Sequence, residues 1–206
     1  MSAGPTTGFV AIGRPTFDIE SARPVAAAAL ADLRALDPSV VGDDVVRTSA
    51  EQVEAAVRDW PESVTTRVIA FATFADSTVP AAATAPAPAQ RQRRQEGAPR
   101  VVLWSFPEPR LDDRLVWNSL CGSILATYRF RHESVTVGGV HGAPGRPSTV
   151  EQLAEVLRWP PNEADRASVE PAIDRAADAD GRVDRIAATM ARARIGVVGS
   201  PPDGFE

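Results

Sequence analysis

Two short apolar runs of this chain end in nearly the same way. Phe9-Val10-Ala11-Ile12 passes into Gly13-Arg14-Pro15-Thr16-Phe17-Asp18, and Ile195-Gly196-Val197-Val198-Gly199 passes into Ser200-Pro201-Pro202-Asp203-Gly204-Phe205-Glu206. A β-branched or aromatic run leading into glycine and proline is what a central parallel strand needs when it delivers the chain to the carboxyl edge of a sheet. No helix follows the second copy, and a lone buried strand leaves apolar surface and backbone groups unpaired. The expectation is that residues 194–206 open a second, truncated α/β domain. Two copies separated by a whole domain are not a stacking period, which excludes a solenoid.

Between the copies, apolar runs alternate with helical periodicity. Residues 9–12, 45–47, 68–74, 101–106 and 135–140 read as strands. Asp18 or Ser21 caps a helix over 22–36, with Val25, Ala29, Leu30, Leu33 and Leu36 on one face. Ser49 followed by Gln52 is a capping box for a helix running to about Trp60. Asn118 or Ser119 caps the next, to about Phe130, and 149–159 is amphipathic with Val150, Leu153, Val156 and Leu157 inward. Residues 163–193 read as helical again, interrupted near Gly181, with Val183, Ile186, Ala187 and Met190 on one face. The order predicts an α/β fold, a doubly wound parallel sheet of the flavodoxin/Rossmann-like kind, over residues 1–193. Residues 79–99, rich in alanine and proline and carrying Arg91-Gln92-Arg93-Arg94-Gln95, read as a short helix followed by a solvated insertion.

Composition removes whole classes of function. All 22 basic residues are arginine, so no Schiff-base lysine, pyridoxal-phosphate anchor or Walker A loop exists in these residues. A net charge of −5 opposes nucleic-acid binding, which requires clustered positive charge. Cys121 is the single cysteine, so neither an internal disulfide nor a cysteine-rich zinc site can form, and a reducing cytoplasm is the expected compartment. Residues 1–12 lack the charged and long apolar segments of a signal peptide, and no apolar run has the length of a membrane span, so no membrane partner is expected.

Four segments that follow strands carry unusual polar groups: 13–18, 73–78, 104–109 and 116–122. In a doubly wound sheet they meet on one edge. Arg14, Asp76, Glu108 and Asn118, with Ser119 beside them, offer the guanidinium, carboxylate and amide groups that bind a polyol in bidentate pairs. Each also has a local reading. Arg14 can pair with Asp18, Asp76 can form an Asx turn with Ser77, Glu108 can cover a helix start, and Asn118 can simply cap. Cys121, near a helix start, has the position of an activated nucleophile; the alternative is a small buried thiol packing behind the loop. His132 lies too far along the same helix to activate it, and nothing in the sequence fixes His141 beside it. The two histidines and scattered acids lack the spacing of a metal motif.

At 13–18, 73–78, 103–108, 118–122 and 195–205, in order, the sequence resembles the L-fucose/L-arabinose isomerase superfamily, and specifically its fucose-isomerase-like members. Asn118-Ser119-Leu120-Cys121-Gly122 is the most distinctive stretch, and the 79–99 insertion departs from the family's more compact pattern. The resemblance implies a ketol isomerase of carbohydrate metabolism that moves a proton between C1 and C2 through an ene-diol. A divalent cation, usually Mn2+, would polarise the carbonyl while carboxylates shuttle the proton. It further implies that the metal-binding Glu, Asp and His lie in the second half of such proteins, so that this chain alone binds no metal and is inactive alone. What remains for it is an amino-terminal layer that packs in a homo-oligomer and helps cap a monosaccharide, with Arg14 and the 118–122 loop as the contacts. The competing expectation is a self-contained sugar-binding or regulatory module without catalysis.

Overall fold

The computed structural model describes residues 6–84, 100–110, 114–133 and 135–158. Five strands alternate with five helices: β1 Thr7–Ile12, α1 Ile19–Leu36, β2 Val41–Arg47, α2 Ala50–Val57, β3 Thr66–Phe71, α3 Thr78–Ala82, β4 Arg100–Ser105, α4 Ser119–His132, β5 Val137–His141 and α5 Pro147–Arg158. All neighbouring strands pair in parallel, in the order β2-β1-β3-β4-β5. This is the doubly wound, flavodoxin-like order. The expected helices of 163–193, the strand at 195–199 and the 85–99 part of the insertion lie outside the described residues.

The three central strands are apolar on both faces because helices cover both faces. Phe9, Ala11, Val68, Ala70, Val102 and Trp104 point to the side packed by α1 and α5. Val10, Ile12, Ile69, Phe71, Val101 and Leu103 point to the side packed by α2, α3 and α4. Alternation by two along each strand therefore divides one sheet between two cores. Trp104 is wholly buried, and its indole N–H donates to the Gly142 carbonyl at 3.0 Å, so its burial leaves no polar atom unpaired.

Local chemistry fixes most element ends. The Asp18 carboxylate accepts from Ser21 N–H at 3.1 Å and caps α1. Ser49 accepts from Gln52 N–H at 3.3 Å, while the Gln52 side chain reaches back to Thr48 N–H at 2.9 Å, so the reciprocal box closes one residue early. β2 begins at Val41, four residues before the expected start. The polar Gly42-Asp43-Asp44 segment hid it: Gly42 sits at φ +115° beside the register shift between Phe9 and Ala11. A Cβ there would lie 2.0 Å from the Phe9 carbonyl oxygen, so only glycine fits. β3 stops at Phe71 rather than running to Phe74, because Phe74 N–H is drawn out of the sheet to the Trp117 carbonyl at 2.6 Å. β5 starts two residues later than expected, at Val137, and ends one residue later, on His141.

Candidate functional site

Ligands of open parallel sheets gather outside the carboxyl ends of the strands, where the strand order reverses. That point lies between β1 and β3, and loops 13–18 and 72–77 meet there. Thr73 joins them: its hydroxyl accepts from Arg14 N–H at 2.9 Å. A Cβ on Gly13 would lie 2.6 Å from the same hydroxyl, so this glycine is demanded by loop packing. Phe17 rests on Phe74 with ring centroids 5.7 Å apart.

The chain between β4 and α4 folds back over this junction. Asp18 N–H donates to the Val116 carbonyl at 3.2 Å, and the Trp117 indole donates to Ser21 Oγ at 2.8 Å. Glu108 holds the returning segment. Its carboxylate accepts from Val116 N–H at 2.9 Å, from Trp117 N–H at 3.2 Å and from Asn118 N–H. Ser119, 2% exposed, ties three elements together: its hydroxyl donates to the Phe71 carbonyl at 2.5 Å and accepts from Phe106 N–H at 2.9 Å.

The five predicted site residues thus lie at one edge, but with different commitments. Glu108 and Ser119 use their polar atoms to build the loops. Asp76 closes its turn with Thr78 rather than Ser77, through Oδ1 to Thr78 N–H at 3.1 Å and to the Thr78 hydroxyl, and its other oxygen makes no hydrogen bond among the described residues. The expected Arg14–Asp18 pair does not form, since Asp18 caps α1; the half-buried Arg14 guanidinium has no partner among the described residues. Asn118 occupies the cap position of α4 at φ 51°, ψ 32°, yet its side chain makes no capping bond. Asparagine tolerates this left-handed conformation better than most residues. Arg14 and Asn118 flank the same two residues, since Thr73 holds Arg14 and Phe74 holds Trp117.

Cys121 corrects an expectation: it is exposed rather than buried. The inward residues of α4 are Ser119, Gly122, Ser123, Ala126 and Phe130, and position 121 falls on the outer side. Neither histidine activates it. His132 stacks edge-on against Tyr128, with ring centroids 4.5 Å apart. His141 is engaged elsewhere, its Nδ1 lying 3.0 Å from Ser105 Oγ. The sequence reading missed this pair, because only the β4–β5 register sets Ser105 opposite His141.

Two other features limit the chemistry. A phosphate at the start of α1, the usual anion site after a first strand, would meet Asp18 and Glu20. An open groove of ≈ 900 Å³ beside α2 is lined by Asp18, Arg23, Arg47 and Gln52 among others. Its charges are already paired: Arg23 binds Glu20 at 3.1 Å, and Arg47 holds Asp43 in a bidentate contact. The Arg47 hydrogen bonds keep the Asp43 carboxyl below its ordinary value despite partial burial. Among the described residues, no group of three or more His, Cys, Asp or Glu side chains could hold a metal ion. No helix among them is long and apolar enough to cross a membrane. No protein-family model matches the chain, and no curated protein matches it.

Proposed function

We propose that this chain is the amino-terminal layer of a cytoplasmic sugar-processing enzyme of the L-fucose/L-arabinose isomerase kind, one that binds a monosaccharide between the ends of β1 and β3 and packs as a homo-oligomer. One observation supports the reading. Among the described residues around the Thr73–Phe74 turn, the Arg14 guanidinium, one Asp76 oxygen and the Asn118 amide stay uncommitted while Glu108 and Ser119 hold the loops. A cation, an acceptor and an amide that offers both donor and acceptor suit a polyol, whose adjacent hydroxyls need both. In this reading the chain orients the sugar and shields it from water. A divalent cation such as Mn2+ would polarise the carbonyl in the working enzyme; the described residues offer no fitting ligand set for it.

The test is a titration of the whole chain with L-fucose and L-arabinose, following the Arg14 Nε–H and Asn118 side-chain amide resonances. Saturable shifts are expected, with binding about tenfold weaker in Arg14→Gln or Asn118→Gly, the loss of one good polar contact. If neither sugar moves those resonances, the proposal fails. The second reading, a self-contained sugar-binding or regulatory module, is favoured by the way Glu108 closes the loop onto the chain's own sheet. Aldose–ketose conversion by the working protein, abolished by a chelator, would separate the isomerase from the module.

A further inference from the structure

The last rung of the β4–β5 ladder sets Ser105 opposite His141 at the carboxyl edge, away from the β1–β3 junction. Ser105 is 2% exposed, whereas His141 is exposed. The Ser105 hydroxyl lies 3.0 Å from His141 Nδ1 and 3.4 Å from the Val140 carbonyl. This hydroxyl can donate to a neutral ring through Nδ1. It can equally turn to the Val140 carbonyl and accept from Nδ1–H when the ring is charged. One buried hydroxyl therefore orients the imidazole in both protonation states, and Nε2 is left without a partner among the described residues.

There is room beside it. Gly139 shares this face of β5 by alternation, and a Cβ built there meets nothing within 4 Å. α4 turns Gly122 toward Phe71 and Ala75, so Leu120 and Ile124, 43% and 60% exposed, lie on the helix face turned away from them. The titratable groups nearest in sequence at this end of the packed elements are Glu108 and Arg110 after β4, Cys121 on α4 and Arg146 after β5. Glu108 is committed to backbone amides, and none of the four is paired with His141.

We propose that His141, positioned by Ser105, is the ligand-contacting, proton-carrying group of a second subsite at the β4–β5 end, taking a small ligand through a carboxylate or phosphate oxygen. An imidazole N–H beside open space, with no carboxylate paired to it among the described residues, suits an oxyanion. Ser105 is a positioning residue: its burial and its contact through Nδ1 make it the orienting group and not a nucleophile. The inference does not depend on the sugar reading of the β1–β3 junction.

The experiment uses the whole chain with labelled histidine. Inorganic phosphate and a sugar acid, L-arabinonate, are titrated at pH 6, with neutral L-arabinose as the comparison. Both anions should shift the His141 ring signals and bind about tenfold more weakly to His141→Ala, which removes an exposed side chain. Ser105→Ala should alter the His141 Nδ1/Nε2 tautomer ratio while the fold, read from the other amides, is retained. Anions that leave His141 unmoved, or that bind His141→Ala as tightly as the parent chain, would overturn the proposal. An unchanged tautomer ratio in Ser105→Ala would overturn the positioning role. L-Arabinose shifts confined to Arg14 and Asn118, with His141 silent to every anion, would sink this inference while leaving the sugar reading intact.

Discussion

Replacing Glu108 by alanine tests whether one carboxylate holds the loop that closes over the β1–β3 junction. The substitution removes the acceptor for three consecutive backbone N–H groups, those of Val116, Trp117 and Asn118. A hydrogen bond to a charged acceptor contributes about 1.5–3 kcal/mol, but water can reach a half-buried loop, so about 1 kcal/mol per amide is the better figure. The sum is about 3 kcal/mol, a large share of the 5–15 kcal/mol of a typical domain. For a chain of this size that lowers Tm by about 6–12 °C. Glu108→Gln should fall between parent and alanine, because one of its two acceptor atoms becomes a donor facing an N–H. Thermal melts measure the total, and amide hydrogen exchange locates it: the amides of residues 116–118 should lose protection before those of β3 and β4. If Glu108→Ala melts within 1 °C of the parent with unchanged exchange at those three amides, the carboxylate is not the holder, and the assignment of loop-building to Glu108 is wrong.

Three further substitutions probe neighbouring parts of the same design. Ser119→Ala leaves the buried Phe106 N–H and Phe71 carbonyl unpaired and should cost about 2–4 kcal/mol in urea denaturation, although only one oxygen is lost. Gly42→Ala forces a Cβ to 2.0 Å from the Phe9 carbonyl at a positive φ, and should cost about 3 kcal/mol by the same assay. Asp43→Asn addresses pH. The folded Asp43 pKa is lowered, chiefly by the Arg47 hydrogen bonds, so its contribution is present above the ordinary aspartate value and is lost as pH falls through the folded value. Stability of Asp43→Asn should therefore decline less steeply below about pH 4 than that of the parent; an equal decline would show that the pair is not felt by folding.

The sheet was legible in the sequence because its signal is local. Uniform apolar runs at 9–12, 68–71 and 101–104 announce strands covered on both faces, and Asp18 and Ser49 announce helix starts by their own chemistry. β2 was only half legible, since the Gly42–Asp44 stretch reads as a turn until it is paired with β1. At the carboxyl edge, the right residues could be named but their employment could not. That Glu108 covers the start of α4 was among the readings available, yet nothing local distinguishes a carboxylate that holds three amides from one that faces a ligand. Cys121 was misplaced because α4 buries Ser119, Gly122 and Ser123, polar or small residues that an apolar stripe does not pick out. His141 and Ser105 are 36 residues apart, and only strand register brings them together.

The acids at this edge explain what is left for a ligand. Asp18 is taken by Ser21 N–H, Asp76 in part by Thr78 N–H, Glu108 by three amides, and Asp32 reaches across to Gly145 N–H at 2.6 Å. Each uses an ionised oxygen to satisfy backbone donors that would otherwise be unpaired at a helix start or in a loop. The consequence is a reversal of sign. Among the described residues, a chain with a net charge of −5 commits most carboxylates of this edge to its own backbone, and the polar groups left open include the Arg14 guanidinium, the Asn118 amide and His141 Nε2. With one Asp76 oxygen as the exception, these groups act chiefly as donors. A molecule rich in acceptor oxygens is therefore a better match for this edge than the overall charge of the protein suggests, and local hydrogen bonding rather than net charge determines which ligands it favours.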